Sequence, residues 1–427
     1  MPAIAILGGQ WGDEGKGKVV DYLAERAQAV ARFGGGSNAG HTVINEKGEF
    51  RMHLVPSGVF YPHVTCIIGN GVVLAPKVLL EEIDLLGGRG VDTSRLFVSD
   101  RAHVVMPYHI LLDGLEEEAR GAKAIGTTRR GIGPCYVDKA ARLGIRAGDL
   151  LDRETFRKRL AIALEQKNSL LTRVYGHEPL SADAVFNEYA AYSERLRPFI
   201  RDTGLLLEAA LERGEWVVLE GAQGALLDVD FGTYPYVTSS SPTIGGAFTG
   251  LGVSPRRLEH VLGVFKAYST RVGEGPMTTE MDKQMGDRVR EKGGEYGATT
   301  GRPRRCGWFD GVAARYASRL NGFTGIVVTR LDVLDELPSL KVCVAYKVGN
   351  ETLEHFPASL PLLERCQPVY EELPGWQTPS RGIRRFEDLP ARARAYIKRI
   401  EELASCPVAL VSVGPQREET ILPRPLF

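Results

Sequence analysis

The sequence lacks the features that mark several broad classes of protein. Its 53 basic and 53 acidic residues cancel, so it has neither the overall positive field of many nucleic-acid-binding proteins nor an acidic tail. No apolar run approaches the roughly 18 residues that span a bilayer, and no basic leader precedes the first apolar run. We therefore expect neither nucleic acid nor membrane among its partners.

Cysteine is sparse and is not arranged for metal or disulfide chemistry. The six cysteines, at positions 66, 135, 306, 343, 366 and 406, include no CxxC pair. This spacing argues against a zinc site and a disulfide framework and favours a reducing compartment. We expect a cytoplasmic protein.

Internal repeats and low-complexity linkers are also missing, so we predict a single α/β domain over residues 1–427. Glycine-bounded apolar runs recur, and several are apolar on both faces, as in parallel strands covered by helices on both sides. The pattern predicts a mostly parallel central sheet flanked by helices. The runs cover residues 3–7, 65–74, 96–98, 216–219, 261–268, 325–331, 340–346 and 407–412.

Between about residues 103 and 203 the sequence becomes charged and rich in Leu and Ala, for example over residues 154–167 and 182–201. This composition predicts a helical insertion in the α/β domain. Within it, the basic, glycine-rich stretch at residues 126–133 is typical of a phosphate-binding loop instead.

The first apolar run leads into a glycine-rich loop. Read from Gly12 to Lys18, its spacing is G-x-x-x-x-G-K, in which backbone N–H groups approach phosphate oxygens and a lysine neutralises them. However, Val19 stands where a P-loop has the hydroxyl that binds Mg²⁺, and Asp13 lies inside the loop. A carboxylate facing phosphate needs a metal ion or a proton.

A second glycine cluster at residues 34–42 carries His41. Alone, it reads equally well as a glycine-rich turn with a surface histidine. Together, Asp13 and His41 place an acid and an imidazole on loops that follow early strands. Proton transfer beside a phosphate requires such a pair.

Two later segments point to the base of a nucleotide. The run at residues 325–331 ends in the tetrapeptide T-R-L-D, close to the N-K-x-D signature of GTP-binding proteins. The carboxylate of Asp332 can accept hydrogen bonds from both N1–H and the 2-amino group of guanine, which adenine does not offer. An aspartate that caps a helix is the alternative reading. The turn from Ser412 to Gly414 could hold a purine carbonyl or the ribose.

Two arginine-rich loops indicate further anionic ligands. Residues 299–305 contain two threonines and three arginines, and arginine forks suit a dicarboxylate or a phosphate. Residues 126–134 read as a second phosphate site. The first loop alone could be a solvated basic surface. Both loops, together with residues 221–224 and 236–240, indicate a second anionic, hydroxylated ligand besides GTP.

Seven segments, taken in order and spacing, resemble the adenylosuccinate synthetase family over essentially the whole chain. The segments are GQWGDEGKGK at 9–18, GGSNAGHT at 35–42, GTTRRGIGP at 126–134, EGAQG at 220–224, YPYVTSSSP at 234–242, TTGRPRRCGW at 299–308 and TRLDVLD at 329–335.

The resemblance implies a P-loop-NTPase-like fold, a homodimer and a ligase of purine biosynthesis. The implied reaction is the GTP-driven joining of L-aspartate to IMP, through 6-phosphoryl-IMP, which gives adenylosuccinate, GDP and phosphate. This reaction is the first committed step from IMP to AMP.

The resemblance also implies the site. Its catalytic residues would be Asp13, Lys16, His41 and Gln223, with Mg²⁺ bound by Asp13 and the Gly40 carbonyl. The implied GTP ligands are Gly12, Asp13, Glu14, Gly15, Lys16, Gly17, Lys18, Gly40, His41, Thr42, Arg304, Arg330, Leu331, Asp332, Ser412, Val413 and Gly414.

The same resemblance implies ligands for the other two substrates. Those for IMP would be Asp13, Lys16, Asn38, Ala39, Gly40, His41, Thr128, Gln223, Thr238, Arg302 and, from the partner subunit, Arg142. Those for aspartate would be Thr299, Thr300, Gly301, Arg302 and Arg304.

Two positions depart from the family pattern: Arg330 replaces the common lysine, and Arg129 is not the commonest residue in its loop. We expect GTP preference to be retained.

Two alternatives remain open from the motifs alone. One is a nucleotide-dependent switch or P-loop ATPase that binds a partner protein, which would leave both arginine loops without a role. The other is a ligase that joins a different amine to a different nucleobase.

Overall fold

A computed structural model describes residues 3–45, 47–297 and 301–424. Within these ranges, no helix is both long enough and apolar enough to cross a membrane. All six cysteines are buried and none forms a disulfide.

The strands are Ala3–Gly8 (β1), Ala29–Arg32 (β2), His41–Asn45 (β3), Gly48–Met52 (β4), Thr65–Ile68 (β5), Val73–Leu74 (β6), Leu96–Ser99 (β7), His103–Val104 (β8), Ile200–Arg201 (β9), Val217–Glu220 (β10), Leu258–Lys266 (β11), Ser269–Arg271 (β12), Arg305–Gly307 (β13), Phe309–Asp310 (β14), Gly325–Thr329 (β15), Ser339–Val348 (β16), Glu351–Leu353 (β17), Gln367–Pro374 (β18), Val408–Ser412 (β19) and Thr420–Ile421 (β20).

The α-helices are Lys16–Ala24 (α1), Pro76–Gly88 (α2), Pro107–Arg120 (α3), Ile132–Ala141 (α4), Arg153–Arg173 (α5), Ala182–Leu196 (α6), Thr203–Glu212 (α7), Ile244–Leu251 (α8), Lys283–Gly293 (α9), Gly311–Asn321 (α10), Leu360–Glu364 (α11) and Ala391–Ala404 (α12).

Ten strands form the central sheet, in the order β20-β19-β15-β11-β1-β10-β2-β5-β7-β9. All neighbouring pairs are parallel except β19 and β20. The prediction of a mostly parallel sheet flanked by helices is therefore confirmed. Strand β1 lies inside the sheet, between β10 and β11, so the loop that follows it opens at the carboxyl edge, where ligands bind in such sheets.

Strand β1 shows why both faces of this sheet are apolar. Ile4 and Ile6 pack with α1 in one hydrophobic core. Ala3, Ala5 and Leu7 point to the opposite face and pack in a second core with α7 and α8. Since successive side chains of a strand alternate between faces, a strand with helices on both sides must be apolar throughout.

Two apolar runs differ from their predicted place. Residues 65–74 form two strands, since Gly69 and Gly71 interrupt the run; a Cβ at Gly71 would lie 2.1 Å from the Phe33 carbonyl oxygen. The first strand, β5, joins the central sheet, and the second, β6, pairs with β8. The run at residues 340–346 belongs to β16, which pairs with β14, β17 and β18 in a separate sheet.

Residues 107–196 contain four of the α-helices, α3 to α6. The apolar sides of α3, α5 and α6 pack into the same core as α1 and β5, while Ile132 and Cys135 of α4 pack with Val73 and Val105 in a smaller cluster. Most of the predicted helical insertion therefore shares the core of the central sheet. Its basic loop precedes α4, whose N-terminal turn faces the carboxyl edge of the central sheet, and Ile132 and Gly133 line the cavity there.

Candidate active site

A cavity of about 510 Å³ opens at the carboxyl edge of the central sheet, where the loops after β1, β2, β10, β15 and β19 meet. Most residues predicted from the motifs line it. They are Gly12, Asp13, Gly15, Lys16, Gly17, Lys18, Asn38, Ala39, Gly40, His41, Thr42, Thr128, Gln223, Thr238, Arg302, Arg304, Arg330, Ser412 and Gly414.

The remaining predicted residues lie elsewhere or outside the described ranges. Thr299 and Thr300 are among the residues that the structure does not describe. Arg142 is exposed at the end of α4 and does not line the described part of the cavity. Five other predicted residues are not among its described lining residues: Glu14, Gly301, Leu331, Asp332 and Val413.

The glycine loop after β1 is braced from inside by Glu14. This carboxylate is fully buried and accepts hydrogen bonds from the backbone N–H groups of Gln10 (3.1 Å) and Gly12 (2.8 Å). The Lys16 ammonium lies 2.5 Å from its other oxygen. Gly15, with φ of 90°, precedes α1 in the left-handed conformation that glycine favours. The loop backbone is thereby held at the positive end of α1, where phosphate binds well.

Asp13 faces the cavity from this loop. Its side chain is 31% exposed, and its φ of 60° is unusual for a residue with a Cβ. Its Oδ2 lies 2.9 Å from Nε of Arg304. The unexpected carboxylate of the glycine loop is therefore paired with an arginine of the loop predicted to bind aspartate, which is distant in sequence.

Asp13 and Gly40, the two residues predicted to hold a metal ion, both line the cavity. No cluster of three or more His, Cys, Asp or Glu side chains suited to a metal occurs in the described part of the chain. A carboxylate and a backbone carbonyl at the cavity wall are hard oxygen donors, which suit Mg²⁺ when substrate phosphates and water supply the other ligands. The donor set fits the predicted ion.

His41 projects into the same cavity as a neutral imidazole. Burial lowers its pKa below the usual value, although Glu220, whose Oε1 is 3.9 Å from Nδ1, opposes this shift. Its Nε2 is buried and has no hydrogen-bond partner among the described residues. A buried nitrogen in this condition is unfavourable without a ligand.

Gln223 carries a second unpartnered atom into the cavity. Its backbone is left-handed, with φ of 56°. Its Nε2 donates a long hydrogen bond of 3.4 Å to Asn38 Oδ1, while its Oε1 has no partner in the described structure. The amide is therefore positioned for a ligand that donates a hydrogen bond.

The basic loop before α4 is shaped by one carboxylate. Glu117 accepts hydrogen bonds from the backbone N–H groups of Ile125, Gly126 and Thr127 at 2.8–3.2 Å. Arg302 then donates through Nη2 to the Gly126 carbonyl at 3.1 Å. The two arginine-rich loops, far apart in sequence, thus touch across the cavity.

At the other end of the cavity, Lys18 holds the turn after β19. Its ammonium donates to Ser412 Oγ (2.6 Å), the Gly414 carbonyl (2.7 Å) and the Glu419 carbonyl (2.9 Å). The P-loop spacing would direct this lysine to phosphate, whereas its three contacts direct it to the segment at residues 412–419. Burial lowers its pKa to about 8.

Asp332 lies next to this turn, on the short helix that follows β15. Burial raises the pKa of its carboxyl group, and Oδ1 has no partner among the described residues. Arg330 precedes it in the left-handed conformation, with φ of 60°, and donates to the Gly293 carbonyl at 3.1 Å. The guanidinium of Arg330 is thus hydrogen-bonded to the backbone of the fold.

Sequence reasoning missed several charged residues of the site. Three apolar strands end in a buried charged residue: β2 in Arg32, β10 in Glu220 and β11 in Lys266. A strand that ends in a charge at the ligand-binding edge was the signal available. Glu295 carried no such signal, because only the folded chain brings it under Arg304.

The fold is that of an α/β enzyme, and its cavity is lined by a glycine-rich loop after the first strand and by two arginine-rich loops. The family model of adenylosuccinate synthetase matches residues 5–421. The chain belongs to the adenylosuccinate synthetase family. It is a ligase that uses GTP to join L-aspartate to IMP, and it forms adenylosuccinate.

Two relatives and one solved structure are similar to this chain over nearly its whole length. The chain is 56% identical over 421 residues to adenylosuccinate synthetase of Heliobacterium modesticaldum, which covers 99% of each chain. It is 57% identical over 422 residues to that of Moorella thermoacetica, again covering 99% of each. The fully ligated Plasmodium falciparum enzyme superposes with a TM-score of 0.94 at 41% identity, covering 99% of each chain.

Proposed function

We propose that the cavity performs the ligation in two steps, with Asp13 as the base. Asp13 takes the N1 proton of IMP, and the 6-oxygen attacks the γ-phosphorus of GTP. The bond between that phosphorus and the bridging oxygen breaks, which releases GDP and leaves 6-phosphoryl-IMP. The amine of aspartate then attacks C6, the C6–O bond breaks, and phosphate leaves as the amine loses a proton.

The observation that carries this proposal is the pair of unpartnered buried atoms beside Asp13. His41 Nε2 and Gln223 Oε1 have no hydrogen-bond partner in the described structure, and both residues line the cavity. His41 Nδ1 lies 3.9 Å from Glu220 Oε1, beyond hydrogen-bond distance, so the tautomer that carries its proton on Nε2 can donate to an oxygen that gains charge during phosphoryl transfer. Gln223 Oε1 can accept a hydrogen bond from the substrate.

Lys16 and the N-terminus of α1 add positive potential to the same end of the cavity. We propose Asp13 and the Gly40 carbonyl as the residues that hold Mg²⁺. When bound there, the ion would neutralise negative charge on the GTP phosphates. Arg304, which lies against Asp13 through Nε, would also contact a carboxylate of aspartate.

We propose the two ends of the cavity as the guanine and aspartate subsites. The unpartnered Oδ1 of Asp332 beside the Ser412–Gly414 turn supports recognition of guanine. The contact of Arg302 with the loop of the IMP phosphate supports an aspartate clamp that closes once IMP is bound.

We propose that the chain acts as a homodimer in which Arg142 enters the neighbouring active site. Arg142 is exposed and adopts a left-handed conformation, with φ of 65°, at the C-terminal end of α4. The same helix begins at the loop proposed for the IMP phosphate. An arginine that cannot serve its own cavity can serve that of a partner.

The experiment follows adenylosuccinate by absorbance while IMP, aspartate, GTP or Mg²⁺ is omitted in turn and ATP replaces GTP. We expect product only with all four components and little with ATP. GTP carrying a heavy oxygen isotope at the β,γ bridge tests the intermediate: its label should scramble with IMP present and aspartate absent. Scrambling without IMP would contradict attack by the 6-oxygen.

A further inference from the structure

Glu295 and Arg304 lie at the two stems of the loop that carries Arg302. The backbone N–H of Arg304 donates to the Glu295 carbonyl at 2.9 Å, and Tyr296 pairs with Pro303 one step further along. The side chains repeat the connection, because Arg304 Nη1 lies 2.5 Å from Glu295 Oε2. Both backbone and side chains thus join the stems.

Behind this ion pair lies a second buried cation. Lys266 is fully buried and donates to both carboxylate oxygens of Glu295 at 2.8 Å, and the Tyr268 hydroxyl donates to Oε1 at 2.5 Å. Burial alone would raise the pKa of Glu295, but the charges of Lys266 and Arg304 outweigh it and hold the pKa at about 2. A row of alternating charge thus runs from Lys266 through Glu295 and Arg304 to Asp13, which lies at the end that faces the cavity.

In a purely structural ion pair, we would expect every buried donor of Arg304 to have an acceptor. In this row one donor has none. Arg304 Nε lies 2.9 Å from Asp13 Oδ2, yet its N–H has no aligned acceptor in the described structure. Buried ion pairs also stabilise folds little compared with apolar side chains of similar size. One edge of the Arg304 guanidinium is therefore paired with Glu295, and the other faces Asp13 with an N–H donor that no described acceptor satisfies.

We propose that Glu295, backed by Lys266, is a positioning residue that fixes the Arg304 guanidinium between Asp13 and the carboxylate of the substrate aspartate. The proposal rests on the role of Arg304 in aspartate binding. Glu295 occupies one edge of the guanidinium and leaves the other for a carboxylate. Without it, Arg304 and Lys266 would repel each other, and Arg304 would rotate away or pair more closely with Asp13.

The test compares steady-state kinetics of Glu295→Gln with those of the unmodified enzyme. We expect KM for aspartate to rise about tenfold, the loss of one charge-assisted contact, with KM for GTP and IMP changed less than about twofold. Tyr268→Phe, which keeps every charge, should raise KM for aspartate about threefold. Equal changes in all three KM values would overturn the proposal.

A double variant separates positioning from stability. Glu295→Gln with Lys266→Met removes one charge of each sign, so the melting temperature should recover relative to Glu295→Gln alone. KM for aspartate should stay raised, because the Glu295 carboxylate that positions Arg304 is still missing. If KM recovers with the melting temperature, Glu295 is only structural and the proposal fails. If Glu295→Gln does not fold, the double variant and Tyr268→Phe still decide.

Two further variants complete the comparison. Lys167→Met breaks the ion pair between Lys167 of α5 and Asp138 of α4, so it should lower the melting temperature without a selective change in KM for aspartate. Arg304→Leu tests the role on which the proposal rests. If Arg304→Leu leaves KM for aspartate unchanged, the assigned role of Arg304 is wrong. If Arg304→Leu raises it and Glu295→Gln does not, only the positioning role is overturned.

Discussion

Two of the buried charge clusters in the described part of the molecule differ in whether all of their charged groups have partners. In the helical segment, His109 Nε2 lies 2.9 Å from Asp138 Oδ2, Lys167 pairs with the other oxygen, and the Met106 N–H donates to His109 Nδ1. Each charged group there has a partner. The row that begins at Lys266 ends in the cavity at Arg304 and Asp13.

The difference teaches that burial and charge alone do not identify an active site. His109 and Glu295 are both fully buried, and both lie against charged neighbours. Only the second cluster presents an incompletely used hydrogen-bond donor to a cavity. Substitutions should therefore affect catalysis at one cluster and stability at the other.

The largest effect should come from Asp13→Ala. Removal of the base should abolish measurable turnover, since general base catalysis and the metal donor are lost together. The melting temperature should change little, because the side chain is 31% exposed. The measurement pairs the absorbance assay with thermal denaturation; a rate near that of the unmodified enzyme would contradict the assignment.

Arg302→Leu should come next. It removes a guanidinium proposed to bind a substrate carboxylate, so KM for aspartate should rise about ten- to a hundredfold, the range for one charge-assisted contact. KM for GTP should change far less. Arg129→Leu is the matched control, because that side chain is exposed and pairs with Glu118. A uniform loss in every kinetic constant would indicate misfolding instead.

Lys18→Met should weaken GTP binding about tenfold, the effect of losing a cation that holds the Ser412–Gly414 turn through charge-assisted hydrogen bonds. Titration of the binding of GDP by calorimetry measures this effect without turnover. IMP affinity should be unchanged. Normal binding of GDP together with weakened binding of GTP would contradict this role and indicate that Lys18 contacts the γ-phosphate.

Since burial lowers the pKa of Lys18 to about 8, pH should move binding and stability in opposite directions. Above pH 8 the uncharged amine donates weaker hydrogen bonds, so GDP affinity should fall. Between pH 8 and the ordinary value of 10.5, the unfolded chain binds more protons than the folded one. The contribution of this group to the free energy of unfolding therefore rises with pH. Lys18→Met should flatten this part of both profiles.

The smallest effect on catalysis should come from Lys167→Met. It leaves Asp138 with His109 as its partner, so the free energy of unfolding should fall by about 1–3 kcal/mol, measured by urea denaturation. The kcat/KM for each substrate should stay within about twofold. A selective change for aspartate would remove the distinction between the two clusters.

Much of the site could be predicted because its residues fall in a few short segments, each of which is continuous in sequence. The loop that carries Asp13, the cluster around His41 and both arginine loops each combine glycine with charge in one short segment, and the parallel sheet follows from strands apolar on both faces. Each loop is therefore visible as a local pattern.

The rest depends on contacts between segments. Lys266 and Glu295 are separated by 29 residues, and nothing local pairs them. Lys18 meets Ser412 across 394 residues, so its spacing alone suggested phosphate. The splitting of residues 65–74 into two strands depends on the close approach of Gly71 to Phe33, which no periodicity reveals.

The central position of β1 governs when the site can form during protein synthesis. This strand leaves the ribosome well before its partners β10 and β11, which begin at Val217 and Leu258. Until both have emerged, the glycine loop has no sheet to support it, and Lys18 must wait longer still for Ser412. An interrupted nascent chain would therefore not assemble this nucleotide site, and we expect the slow, long-range pairing of β1 to limit the rate of folding.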